Sequence, residues 1–242
     1  AKDHGFLAGV DVALAVFRRV DPGLDARVLL ADGSALSPGD GIVRVEGPAA
    51  GILRAERTAL NFLQRMSGIA SETNRYVKAI EGCPARIVDT RKTAPGHRFL
   101  DKYSVRMGGG HNHRLNMADG ILIKDNHIQA LRSERMGLKE VIHLALSRAS
   151  HTIKVEVEVE TLEEVREAVE AGAHIIMLDN MPAPVMKQAV DIIGGRALVE
   201  ASGGITMETV RAVAETGVDL ISIGGLTHSP RALDISLDLE FN

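Results

Sequence analysis

None of the 242 residues is tryptophan, and only two are tyrosine and five phenylalanine. That scarcity removes the stacking platforms on which binders of single-stranded nucleic acid rely. The charge balance agrees: 28 Lys and Arg against 32 Asp and Glu give a formal charge of -4, so there is no global excess of positive charge for a polyanion. A lone cysteine, Cys83, excludes an intramolecular disulfide and a cysteine-rich zinc site, and it fits a reducing cytosol. No apolar run approaches the ~20 residues of a transmembrane helix. The opening AKDHGFLAGV has no basic stretch leading into a long apolar one, so no signal peptide is read and a cytoplasmic location is expected.

What is present suffices for a real core, since 45% of the residues are hydrophobic. The first fifty residues hold short apolar runs broken at Asp32-Gly33, Pro38-Gly39 and Gly47-Pro48, the punctuation of short strands and tight turns. ILRAERTALNFLQRMSGIASETNRYVKAI then reads as helix, with Leu53, Leu60, Leu63, Ile69 and Ile80 as its apolar stripe and Gly68 as a possible break. From KVEVEVE onward, strands and helices alternate. TLEEVREAVEAGA opens with a capping box, Thr161 to Glu164, and closes at Gly172. Glu158, Asp179 and Glu200 recur at a spacing of 21 residues, the period of a βα unit, which argues for a parallel sheet, open or closed into a barrel.

Two late loops repeat one another, GGIT at Gly203–Thr206 and GGLT at Gly224–Thr227. Phosphate sites of α/β barrels are built from loops after late strands, and Ser202 and Thr206 add donors here, although glycine pairs also serve simple tight turns. The positive charge is gathered elsewhere. Between Asp89 and Lys124 stand Arg91, Lys92, Arg98, Lys102, Arg106, Arg114 and Lys124, against three Asp, with His97, His111 and His113 among them. DGILIKDNHI and RIVDTRK each read as an apolar strand ending in charged residues, where barrel active sites lie. Two basic strand ends and a basic loop suggest a pocket for a small polyanion. In KVEVEVE the valines take one face, and Lys154, Glu156, Glu158 and Glu160 the other. Glu158 or Glu160, with Asp179 from the next strand, could reach the pocket mouth and serve Mg²⁺, ribose hydroxyls or a developing positive charge.

RMGGGHNHR, Arg106 to Arg114, is neither a Walker A loop nor a G-x-G-x-x-G dinucleotide turn. Its His111 and His113, with His127, could be metal ligands or neutral hydrogen-bond donors.

ERTALNFLQRMSGIAS, DTRKTAPGHR, GGGHNHR, LIKDNHI, KVEVEVET, MLDNM, EASGGIT and DLISIGGLTHS occur in this order, at matching spacing, in the quinolinate phosphoribosyltransferases, and the chain resembles that family from about Asp32 to its end. The resemblance implies transfer of phosphoribose from phosphoribosyl pyrophosphate to quinolinate with loss of CO₂, in the presence of Mg²⁺. It implies an open α/β barrel of about six to seven parallel strands beside a smaller N-terminal α+β sandwich. Residues 1–62 with a returning tail, 228–242, would form the sandwich, and residues 63–227 the catalytic barrel. It also implies a homodimer or larger assembly with shared active sites. The family carries a few dozen residues before the equivalent of AKDHGFLAG, and it commonly has Thr where Ala94 stands and an aliphatic residue where His97 stands.

By match to the family motifs, Arg91, His113, Arg114 and Lys124 would hold quinolinate, and Arg57 would reach in from the neighbouring subunit. Lys92 would lie between quinolinate and pyrophosphate. Glu158 and Asp179 would face the ribose and Mg²⁺, and Ser202, Gly203, Gly204, Gly224 and His228 the phosphate. Rival readings are a phosphoribosyltransferase acting on nicotinate without decarboxylation and a Schiff-base barrel aldolase using Lys124 or Lys92.

Overall fold

A computed structural model of the chain describes residues 1–131 and 136–240; Phe241 and Asn242, the end of the expected returning tail, lie outside the described residues. Two compact units form. The first takes residues 1–77, 92–112 and the chain from 224 onward, the second residues 78–91 and 113–223.

In the first unit, β1 (Gly5–Phe6) pairs with β3 (Ala35–Leu36) and β2 (Asp25–Val28) with β4 (Val43–Glu46), both antiparallel. The expected turns are there: Gly33, Gly39 and Gly47 all have positive φ. Helix α1 (Val10–Val20) buries Val10, Ala13, Leu14 and Phe17, the one-face spacing of an amphipathic helix. Its core is completed by Ile52, Ala55, Ala59, Leu60 and Leu63 of α2 (Ala49–Ala79) and by Leu233 and Ile235 of the tail. The tail is tied to α2 by backbone, Leu233 N–H to Gln64 C=O at 2.9 Å.

Helix α2 runs unbroken through Gly68, and Leu53, expected on its buried stripe, is exposed. The glycine serves a close approach instead. A Cβ at position 68 would overlap the backbone carbonyl of Arg231. Alanine gains about 1 kcal/mol of helix propensity over glycine, but overpacking a tight contact costs about 1–3 kcal/mol, and here the obstacle is backbone. Gly68→Ala is therefore expected to destabilise the protein, shifting the urea midpoint downward with an unchanged slope.

Helix α3 (Arg98–Met107) ends in the triple glycine. Cβ atoms at Gly108 and Gly110 would collide with Ala70 and Thr73 of α2 and with Val105, and Gly109 has φ +88. The glycines of RMGGGHNHR thus let the end of α3 sit on α2. This contact is also why residues 92–112, expected with the barrel, group with the first unit.

The second unit is a six-stranded parallel sheet: β5 (Arg86–Val88), β6 (Ile121–Ile123), β7 (Val155–Val159), β8 (Ile175–Asp179), β9 (Leu198–Ser202) and β10 (Leu220–Ser222). Their spatial order is β5-β10-β9-β8-β7-β6. Consecutive strands from β6 to β10 are neighbours, β10 closes onto β5, and among the described residues no ladder joins β5 to β6, so the barrel is open there. Helices α5 (Leu138–Arg148), α6 (Leu162–Glu170), α7 (Ala183–Ile193) and α8 (Val210–Ala214) connect the later strands; a short α4 (Asp125–Leu131) follows β6. The capping box of α6 is formed, Thr161 Oγ1 accepting from the Glu164 amide at 3.2 Å and the Glu164 carboxylate from the Thr161 amide at 3.1 Å.

Register assigns the two faces. Ile87, Ile221, Ala201, Leu178, Ile176, Val157 and Ile123 share one face, aliphatic and almost wholly buried. It meets the apolar sides of α5 to α8. The opposite, inner face mixes Leu122, Glu156, Glu158, Met177, Asp179, Glu200, Ser202 and Ser222. A polar inner face in a covered parallel sheet requires partners, and these form the site. Among the described residues no helix is long and apolar enough to cross a membrane.

Candidate functional site

The charged residues of the second unit collect at strand ends because each strand stops where its aliphatic run stops. Lys124 directly follows β6, Glu158 is the fourth of five residues in β7, and Asp179 and Ser202 close β8 and β9. The equal spacing of Glu158, Asp179 and Glu200 does not put them at one height. Glu158 and Glu200 both register with Met177, whereas Asp179 lies two residues further and registers with Ser202. Height alone does not set burial either: Glu200 is wholly buried, Glu158 half-buried and Glu160 exposed.

Lys124 Nζ donates to a carboxylate oxygen of Glu158, joining the ends of β6 and β7. An ion-paired lysine is the opposite of the desolvated, unpaired amine that Schiff-base chemistry requires. Asp179 accepts from the Asn180 side-chain amide at 2.7 Å. Asn180 has φ 53, the one non-glycine residue with positive φ among the described residues, and its backbone N–H donates to Ser202 C=O at 2.9 Å. Its side chain covers Gly203, where a Cβ would overlap it. Gly203 and Gly204 follow with φ +88 and +60, backbone that favours glycine at both positions.

Deeper on the inner face, His113 Nε2 lies 3.2 Å from Glu156 and 3.4 Å from Glu200. Both oxygens of Glu200 and one of Glu156 have no hydrogen-bond partner among the described residues. Burial lowers the pKa of the His113 ring, while its contacts with Glu156 and Glu200, and their charge, pull it upward. Glu156 is pushed above the usual carboxylate range, chiefly by burial, against the His113 contact and with the Glu200 charge. These three residues are also the one group of histidine and acid donors close enough to hold an ion among the described residues. The Arg114 amide, however, donates to His113 Nδ1 at 2.8 Å. A ring accepting at Nδ1 carries its proton on Nε2, between the acids, and offers no lone pair to a metal there.

The histidine expectations change accordingly. His113, expected to face substrate, has both ring nitrogens engaged within the protein. His111 is exposed, and His127 Nδ1 accepts from the Lys124 amide at 3.0 Å. The His113 backbone N–H in turn donates to Asp89, fully buried just beyond β5, at 2.9 Å.

Arg114 donates through Nη1 to Gly120 C=O at 2.8 Å. Its pKa is lowered, first by burial and then by the like charge of Arg91. The Arg91 Nε is buried with no hydrogen-bond partner among the described residues. Two guanidinium groups that repel one another, one with an unused buried donor, have the chemistry to take an anion with more than one charge.

Four expected site residues belong to the first unit. Arg57 is exposed on α2, and so is Leu53 one turn before it. Lys92 lies between β5 and α3. Gly224 precedes the single turn α9 (Gly225–His228). A Cβ at Gly224, whose φ is an ordinary -64, would stand 3.1 Å from Lys92 Cδ and 3.3 Å from the His228 ring. Glycine is thus used there for the lysine stem, not for the backbone. His228 Nδ1 is 2.6 Å from Ser229 Oγ.

Two family descriptions cover the chain: quinolinate phosphoribosyl transferase, N-terminal domain, over residues 1–67, and its C-terminal domain over residues 69–238. The chain belongs to the quinolinate phosphoribosyltransferase family. It is 44% identical to a probable nicotinate-nucleotide pyrophosphorylase (carboxylating) of Bacillus subtilis, covering 100% of this chain and 82% of that protein. It is 45% identical to a mitochondrial quinolinate phosphoribosyltransferase (decarboxylating) of Nicotiana glauca, covering 99% and 72%. Among solved structures, NadC from Streptococcus pyogenes superposes with a TM-score of 0.91 at 43% identity, over 97% of this chain and 81% of that one. The family membership and these superpositions agree with the expected fold, a parallel barrel-like sheet joined to an N-terminal α+β domain.

Glu156, Glu200 and Asn180 were not expected site residues. The alternation in KVEVEVE placed Glu156 on the polar face, and the 21-residue spacing picked out Glu200. Their convergence on His113 joins three segments far apart in sequence, which no local pattern encodes.

Proposed function

We propose that the protein transfers phosphoribose from phosphoribosyl pyrophosphate to quinolinate, releasing pyrophosphate and CO₂ and forming nicotinate mononucleotide for NAD biosynthesis. The observation that carries the reading is the Arg91–Arg114 pair. It suits the two carboxylates of a pyridine dicarboxylate better than the single one of nicotinate. Lys124 adds a third positive group. His113, bound to Glu156 and Glu200, fixes the backbone that presents Arg114. Arg57 serves the neighbouring subunit's site in a homodimer, and the exposed Leu53 beside it suits burial at that interface.

Glu158 and Asp179 take the ribose. Each is an all-oxygen donor with lone pairs to spare, which suits a hard divalent ion carried by a phosphorylated substrate. When bound, Mg²⁺ supplies charge neutralisation on the departing pyrophosphate. Lys92 takes the pyrophosphate side, and Ser202, Gly203, Gly204, Gly224 and His228 the 5′-phosphate.

As the bond from the ribose carbon to pyrophosphate breaks, positive charge develops on that carbon, and the Glu158 and Asp179 carboxylates stabilise it. The quinolinate ring nitrogen, held in line by the arginines, gives its electron pair to the same carbon. The ring is now a quaternary pyridinium. It accepts the electron pair left when the adjacent carboxylate departs as CO₂, and a proton then fills that ring position. No covalent enzyme intermediate is needed. The test is turnover with carboxyl-labelled quinolinate and phosphoribosyl pyrophosphate. Labelled CO₂ is expected only with both substrates; conversion of nicotinate without CO₂ release from quinolinate would overturn the reading.

A further inference from the structure

The threonine of GGLT found no role in phosphate binding, and its hydroxyl is not free to take one. Thr227 is almost wholly buried, and its Oγ1 donates to the backbone carbonyl of Lys92 at 2.8 Å. The neighbouring backbone is tied as well. The Ala94 N–H donates to Asp101 Oδ2 at 3.0 Å, and Arg98 Nε donates to Thr93 Oγ1 at 3.2 Å. Asp101, fully buried, also receives Arg65 of α2 through Nε at 3.1 Å and Nη2 at 2.9 Å. The same Nη2 donates to Thr227 C=O at 3.2 Å. The bonds close a ring, from Lys92 through Thr227, Arg65 and Asp101 to Ala94, all within the first unit.

We propose that Thr227, backed by the Arg65–Asp101 pair, is a positioning residue that fixes Lys92 for its phosphate-bearing substrate. Lys92 stands in a segment without regular structure, so nothing in a helix or strand sets its direction. A flexible lysine loses affinity to the entropy of ordering it, and pre-fixing its backbone reduces that loss. The stem is guided too, since its Cδ runs over Gly224 beside the His228 ring. A buried Arg–Asp pair is weak as a source of stability, because desolvation offsets most of the attraction. Its use here is geometric: it holds one loop carbonyl and one loop amide in place.

The inference rests on the reading of Lys92 as a ligand of phosphoribosyl pyrophosphate, and a double-mutant cycle separates the two. Thr227→Val removes the hydroxyl at nearly constant shape. It is expected to raise KM for phosphoribosyl pyrophosphate on the order of tenfold, the scale of one net hydrogen bond, with KM for quinolinate unchanged. Thr227→Ser, which keeps the donor, is expected to restore the wild-type value. Because Thr227 acts through Lys92, adding Thr227→Val to Lys92→Ala should cost nothing further. Wild-type kinetics in Thr227→Val, an equal rise in both KM values, or additive losses in the double variant each overturn the inference. If Lys92→Ala alone leaves KM for phosphoribosyl pyrophosphate unchanged, the reading of Lys92 falls and the inference with it. Should the valine variant not fold, Arg65→Lys carries the same cycle, keeping the charge while losing the fork that reaches Asp101 and Thr227 together.

Discussion

Arg114→Ala is expected to lower kcat/KM for quinolinate by a factor on the order of 10²–10³, the cost of removing one partner of a partly desolvated charge pair. The protein itself should survive. Arg114 is only half-buried, and its side chain bonds a backbone carbonyl, Gly120, that water can satisfy in its absence. Losing Arg114 also relieves the repulsion it shares with Arg91, so part of the electrostatic strain of the empty site disappears with it. Arg114→Lys separates charge from shape. A lysine keeps the charge but not the planar fork, and it is expected to recover only a small part of the loss. The sequence has no tryptophan, so binding is best followed by calorimetry. Unchanged quinolinate affinity in a folded Arg114→Ala protein would remove the arginine pair from the substrate site.

How much of this was legible in the sequence depends on the range of the interaction. The strands, the α6 capping box and the glycine turns follow from periods and spacings of a few residues, and the structure has them. The break that Gly68 would allow does not occur, because the cost of a mid-helix glycine is outweighed by the contact it permits with Arg231, 163 positions away. Leu53 carries the helical period but faces outward, since period alone does not say which side of a helix finds a partner. The 21-residue repeat located three acids correctly on three successive strands. It could not show that the connections displace Asp179 along the sheet, which leaves Glu200 in the interior and Asp179 at the rim. The glycines of GGGHNHR are accounted for by the packing of α3 on α2, a contact between distant segments that the motif itself does not show. The family motifs named the reacting residues but not those behind them, such as Asn180 holding Asp179, because support of this kind is a matter of side-chain direction.

The larger effect on stability is expected from His113→Ala. Three oxygens of Glu156 and Glu200 already lack a partner among the described residues, and the substitution also takes the imidazole away from Glu156 Oε2. Removing the donor that faces a buried carboxylate costs about 1–3 kcal/mol or more, because the surviving acceptor stays unsatisfied. The pH dependence identifies the cause. In the folded protein Glu156 is already pushed upward by burial and by the Glu200 charge, and the His113 contact opposes that shift. A carboxyl whose folded-state value is raised costs stability once it ionises, from about pH 4.5 upward. Without the imidazole that opposition is gone and Glu156 rises further, so the variant should lose more stability than the parent from the carboxylate range upward. Urea titrations at pH 5 and pH 8 should therefore show a deficit that is smaller in acid and larger in mild alkali. Adding Glu200→Gln should recover part of it at pH 8, where one buried charge has been removed. A deficit independent of pH would mean that His113 contributes only its volume, and that the two glutamates are already neutral in the folded chain.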